Sequence, residues 1–276
     1  MENTSSQELP KGAHPSFLNV LRAKERVKQN MANVKHKIGV YSAKGGVGKT
    51  TVAINLAYAL SQKNLRVGLL DADIDCPNVT MFLGIDEKID PHAPLKLPVK
   101  DGVKIASTAM LVDELKKPII WRGPLITKML SDFFEHADWG ELDYLVLDLS
   151  PGTSDAPLTI MQLLDLDGFV IVTTPQKIAG LNSIRSGLMA KRLGVHILGV
   201  VENMSSGEPS QSTLDVVAAL GTEFLGCIKR DDLFNRLSDS GTVPVLAEKR
   251  IKEDFDAFVS RLLGHGVNSN PEARKA

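Results

Sequence analysis

Two lysines, Lys44 and Lys49, stand in the run SAKGGVGKTT, residues 42–51, among glycines and ahead of two threonines. Each of these residue types has a use in holding an oxyanion. Glycine lets backbone N–H groups turn inward, lysine supplies a cation, and threonine offers a hydroxyl to a hard divalent metal. Gly48, Lys49 and Thr50 match the end of the pattern G-x-x-x-x-G-K-[ST]. In that pattern the amides of Gly45, Gly46, Val47 and Gly48 cradle phosphate, Lys49 neutralises β- and γ-phosphate charge, and Thr50 ligates Mg²⁺. The usual first glycine is Ala43 here, so the match rests on Gly45, Gly46, Gly48, Lys49 and Thr50. Lys44 has no part in this scheme and needs another explanation.

A Mg²⁺-nucleotide site also needs a carboxylate at a neighbouring strand end. LDYLVLDLSPGTSD, residues 142–155, supplies Asp148 after an apolar run and before a Pro-Gly turn. Asp148 is expected to hold the metal through a water, and residues 150–155 to form a loop that senses the γ-phosphate.

Such residues work only on a strand–loop–helix frame, and the flanking sequence has that form. KIGVYS reads as a strand and TVAINLAYALSQ as a helix. Further short apolar runs follow: RVGLLDAD, VKIAST, LDYLVLDL, GFVIVTT, VHILGVVEN and TEFLGCI. Helix-length segments separate most of them, at residues 50–62, 121–136, 178–193 and 212–220. Strands apolar on both faces and alternating with helices predict an α/β, doubly wound, mainly parallel sheet of about seven or eight strands. The organisation expected is a disordered segment at 1–16, an amphipathic leader helix at 17–34, one domain at 35–263 and a flexible tail at 264–276. Residues 86–102, rich in proline and charge, read as a surface excursion. Near the end, Ile251, Phe255, Phe258, Val259, Leu262 and Leu263 form a stripe at helical spacing. The opposite face mixes both signs of charge, which predicts a core-packed helix and not a membrane-surface one.

Composition bounds the function. The 276 residues carry a formal net charge of -1, with 43% hydrophobic and 24% charged residues, as in ordinary globular proteins. That balance gives no case for wholesale nucleic-acid binding. No apolar run reaches the roughly 20 residues of a membrane span, and the N-terminus lacks a signal-peptide core, so a cytoplasmic location is expected. Cys76 and Cys227 are the only cysteines and form no C-x-x-C pair. Both are expected to be buried and inert.

KGGVGKTT, with its extra lysine, resembles the deviant Walker A motif of the MinD/ParA class of dimeric ATPases. More narrowly, the chain resembles the Mrp family of iron–sulfur cluster carrier ATPases. The matching stretches are NVKHKIGVYSAKGGVGKTTVAINLA, VGLLDADIDCPN, WRGPL, WGELDYLVLDLSPGTSDAPLTIMQ, GFVIVTTPQ and LGVVENM, and the resemblance covers residues 33–244. The resemblance implies a homodimer that binds and slowly hydrolyses ATP with Mg²⁺, working on an iron–sulfur client or scaffold protein. It implies that Lys44 reaches across the dimer to the partner's phosphates, acting as a lysine version of an arginine finger. It further implies that Asp73 orients the attacking water, that Asp71 supports the metal shell or only caps the strand end, that Thr51 contacts the α-phosphate, and that Asn203 reads the adenine edge.

The sequence departs from the Mrp pattern at the cluster. Mrp carriers place a C-x-x-C pair shortly after E-N-M, whereas ENMSSGEPSQSTLDVV has no cysteine. Thiolates are what such clusters require, so a cluster is implied by family while its usual ligands are absent. The alternative reading is a positioning or scaffold ATPase without metal. A small-molecule kinase is the third, and it leaves Lys44 without a role.

Overall fold

The computed structural model describes residues 15–89, 95–111, 123–152 and 154–265. Most of the expected disordered segment and tail, together with Trp121, Arg122 and Thr153, lies outside them.

Eight strands form one sheet in the order β3-β4-β2-β5-β1-β6-β7-β8. They are β1 (Val34–Tyr41), β2 (Val67–Ala72), β3 (Val99–Lys100), β4 (Val103–Ser107), β5 (Leu142–Leu149), β6 (Gly168–Thr173), β7 (Ile197–Ser205) and β8 (Phe224–Lys229). All neighbouring pairs are parallel except β3 with β4. Strand β3 lies in the excursion at 86–102, and its two residues are too few to show a period in the sequence.

The strands are apolar on both faces because helices cover both. Along β5, Tyr144 and Val146 face one core while Leu145, Leu147 and Leu149 face the other. The first core is closed by α2 (Lys49–Ser61) through Val52 and Leu56, and by α10 (Lys249–His265) through Phe255, Phe258 and Val259. The second is closed by α4 (Gly123–His136) and α5 (Asp155–Leu163), with α6 (Lys177–Arg192) and α7 (Gln211–Leu220) further along. Each large side chain so buried contributes about 1.5–3 kcal/mol. The stripe on α10 is therefore core-packed, as its mixed outer face predicts. Short helices α3 (Val79–Leu83), α8 (Leu233–Asp239) and α9 (Pro244–Ala247) complete the chain.

Helix α1 (Pro15–Asn30) ends earlier than the expected 34, because Val34 already pairs with Leu142 in the sheet. It packs on α4: Val27 and Met31 are buried, and the Asn30 amide donates to the carbonyls of Phe134 and Ala137. Among the described residues no helix is long and apolar enough to cross a membrane.

Strand β1 is central, with β2 reached on one side past β5 and β6 added on the other. The chain thus reverses its direction of growth at β1. In open α/β sheets ligands bind at such a switch point, outside the carboxyl ends of the strands.

Candidate phosphate-binding site

The turn from β1 into α2 lies at that point. Gly46 and Gly48 have φ of +82° and +81°, a left-handed conformation that side chains disfavour. Gly48 has a second reason to be glycine, since a Cβ there would fall on the amide nitrogen of Asn203. That nitrogen donates to the Val47 carbonyl at 2.8 Å and so ties the loop to the end of β7. The loop is held on its other side as well. Ser42 Oγ donates to the Lys44 carbonyl, Gly152 N–H donates to the Ser42 carbonyl, and the Tyr41 hydroxyl donates to the Gly152 carbonyl at 2.6 Å. The loop after β5 is therefore coupled to the loop after β1.

A cavity of about 460 Å³ opens over this turn. Lys44, Gly45, Gly46, Gly48, Lys49, Thr50 and Thr51 line it, together with Asp73, Cys76, Asn78, Phe82 and Ser150. Val47 is buried beneath the loop and enters the site only through its backbone. Lys49 is the first residue of α2, so the free amides of a helix N-terminus face the same space.

Lys49 is 6% exposed, and its ammonium donates to Asp148 Oδ1 at 2.7 Å. Asp73 Oδ2 lies 3.8 Å from the same nitrogen. Asp148 is fully buried, and its Oδ2 has no hydrogen-bond partner among the described residues. The unengaged oxygen of Asp148, which holds Lys49, and the half-buried hydroxyl of Thr50, next to Lys49 in sequence, are hard oxygen donors of the kind Mg²⁺ takes. Burial, opposed by Lys49, holds the Asp73 carboxyl above its usual range.

Asp71 is Asp148's register partner across β2 and β5. Its oxygens accept from the amides of Asp73 and Val79 and from Ser107 Oγ. It thus braces the 73–79 loop, the capping role that was one of its two expected uses. Burial and the neighbouring Asp148 push its carboxyl well above the usual carboxylate range.

The structure gathers every nominated residue except Asn203 at the cavity wall or immediately behind it, and Asn203 at the loop's base. Lys44 is exposed at the rim, with no ion pair among the described residues. The two cysteines depart from expectation. Cys76 is exposed at the cavity mouth and Cys227 is only half-buried. Cys76 sits in the loop that Asp71 folds outward, and Cys227 lies on β8, the edge strand, which has one neighbour fewer to cover it. Burial still raises the Cys227 thiol.

Sequence reasoning also passed over Glu202. This β7 carboxylate is fully buried and accepts from Ser205 Oγ, from Ser210 N–H and Oγ, and from Thr213 Oγ1. Although burial opposes it, those bonds hold its pKa below the usual value. Glu202 therefore organises the SSGEPS segment where relatives are expected to carry cysteines. An acid inside the apolar run VVENM was the available signal.

A glycine-rich turn between β1 and α2 whose lysine meets a carboxylate from the adjacent strand, on a doubly wound parallel sheet, defines a P-loop NTPase. Within that class the chain belongs to the NUBPL iron-transfer P-loop NTPase family, whose sequence model matches residues 33–263. An iron-sulfur cluster carrier protein of Methanocaldococcus jannaschii is 40% identical over 253 residues, covering 86% of this chain and 87% of its own. One from Pyrococcus horikoshii is 40% identical over 250 residues, covering 81% and 84%. Among solved structures, a nucleotide-binding protein in complex with ADP from Archaeoglobus fulgidus superposes with a TM-score of 0.70 at 31% identity, covering 84% of this chain and 95% of that one. The cell division ATPase MinD of Pyrococcus furiosus shares the fold, with a TM-score of 0.65 at 22% identity over 84% of this chain and 99% of its own.

Proposed function

We propose that this chain is a cytoplasmic, ATP-hydrolysing homodimer whose nucleotide cycle drives iron–sulfur cluster transfer to a client protein. The observation that carries the reading is Lys49, buried between Asp148 and Asp73 at the base of a cavity walled by loop amides. Lys49 now neutralises Asp148. Triphosphate offers it more negative charge at the same place, and as Lys49 turns to the β- and γ-oxygens, both oxygens of Asp148 are released. Mg²⁺, when bound, supplies charge neutralisation between phosphates. Thr50 would be its direct ligand, and Asp148 would hold it through a water. Thr51 donates to the α-phosphate. Asn203 keeps the loop in place through its amide nitrogen and offers its carbonyl oxygen to the adenine amino group. Asp73, whose raised pKa suits a base, orients the attacking water.

Lys44 is exposed at the rim and has no ion pair among the described residues, so we assign it to the partner's phosphates. The test is a heterodimer of Lys44→Ala with an ATP-blind subunit carrying Lys49→Met and Asp148→Asn. The only occupied site then faces an intact Lys44. Hydrolysis is expected to recover from the level of the Lys44→Ala homodimer, and an assembled heterodimer that stays inactive rules out action across the interface.

The cluster is cargo in this reading, and the chain's own thiols do not converge on it. Cys76 follows β2 and Cys227 lies on β8, five strand spacings or about 24 Å away. Among the described residues no three His, Cys, Asp or Glu side chains are grouped to hold a metal. A homodimer brings two thiolates at most to the cavity mouth, one Cys76 from each protomer, so donor or recipient supplies the rest. The same separation favours a second reading, a metal-free scaffold ATPase. Iron content distinguishes the two.

A further inference from the structure

Helix α6 buries small residues and leaves several large apolar ones exposed. Its buried face consists of Ala179, Gly180, Ser183, Ser186, Gly187 and Ala190. These small residues let α7 approach closely, and a Cβ at Gly187 would meet Leu220 at 2.6 Å. Ile184 and Met189 still pack on the core, but three large apolar side chains face outward: Ile178 is 62% exposed, Leu181 51% and Leu188 44%. Core packing does not explain them, because the core is closed without them.

Their spacing is informative. Positions 178, 181, 185, 188 and 192 follow alternating steps of three and four, the seam of a helix that packs against another helix. At the middle of this seam stands Arg185, exposed and without an ion pair among the described residues, and Arg192 ends it in the same condition. Helix α6 contains no acidic residue. Lys191, its other cation near the C-terminus, is already used on the Leu220 carbonyl at 2.6 Å.

We infer that the outer face of α6 is a docking surface for an amphipathic helix of a partner protein, one with aliphatic residues at heptad spacing and an acidic residue opposite Arg185. An apolar ridge at this spacing fits the grooves of a helix, whereas a lipid surface requires no such register. The exposed guanidinium at its centre, which has no ion pair among the described residues, fixes the sign of the partner's charge. The ridge begins at the carboxyl end of β6, beside β1, which delivers the phosphate loop, so a helix seated there borders the nucleotide face.

The experiment uses the full chain and a fluorescent synthetic helix of about three heptads, with Leu at the a and d positions and Glu at the central a position. Fluorescence anisotropy is expected to show saturable binding. Leu181→Ser with Leu188→Ser is expected to weaken it by about tenfold or more, and Arg185→Glu likewise. Changing the peptide's central Glu to Lys is expected to restore binding to Arg185→Glu and weaken it to the unaltered chain. ATP turnover stays unchanged in these variants, which shows that they are folded. No binding by the unaltered chain, equal binding by the variants, or no recovery on charge exchange overturns the inference. So does self-association, or flotation with phosphatidylcholine–phosphatidylserine vesicles, that those substitutions abolish. In those cases the occupant is a second copy or a membrane.

Discussion

Replacing Lys49 by Met separates what the lysine does for stability from what it does for ATP. The ammonium is buried and sits 2.7 Å from Asp148, itself fully enclosed with Asp71 alongside. Met keeps most of the apolar stem and removes the charge, so packing changes little and Asp148 is left buried without its cation. Breaking a buried pair in this way costs about 3–5 kcal/mol, whereas removing both charges is often close to neutral. For a chain of this size each kcal/mol moves the melting temperature by about 2–4 °C. Nucleotide-free Lys49→Met is therefore expected to melt on the order of 10 °C lower, and adding Asp148→Asn is expected to regain most of the loss. Neither variant binds ATP, because the phosphates lose their main cation in both. Scanning calorimetry with isothermal titration of ATP measures both quantities on one sample. A double variant as unstable as the single one would refute the pairing argument, and unchanged ATP affinity in either would remove the basis for the site.

Glu202 and the thiols extend this reasoning to the segment that lacks cysteines. Glu202→Ala leaves three hydroxyl-bearing side chains, two of them buried, without their shared acceptor, and is expected to cost about 3 kcal/mol by urea denaturation while ATP turnover persists. With its thiols about 24 Å apart, the chain reconstituted anaerobically with iron and sulfide is expected to retain well under one cluster per dimer. A stoichiometric cluster that survives Cys76→Ser and Cys227→Ser, measured as iron and acid-labile sulfide, would show that groups other than thiolates hold it.

How much of this was readable in advance depended on whether the cause was local. The phosphate loop was legible because glycines, lysine and threonine act within ten residues, between a strand and a helix that each show their own period. Asp148 was legible through its strand end. The tether that Asn203 makes to the loop was not, since its bond to Val47 joins residues 156 apart in sequence and follows from strand order, which no local pattern states. The same applies to Asp71, whose bracing of the 73–79 loop involves Ser107 on the neighbouring strand. The exposure of Cys76 likewise follows from where that loop is folded. Helix α6 shows the sharper limit. Apolar periodicity identifies a helix but assumes that its large residues face inward. Here Gly180 and Gly187 admit α7 from the other side, and the leucines are turned to the surface. A hydrophobic stripe thus marks a face that is to be covered, and only the packing of the small residues opposite decides whether this chain or another one covers it.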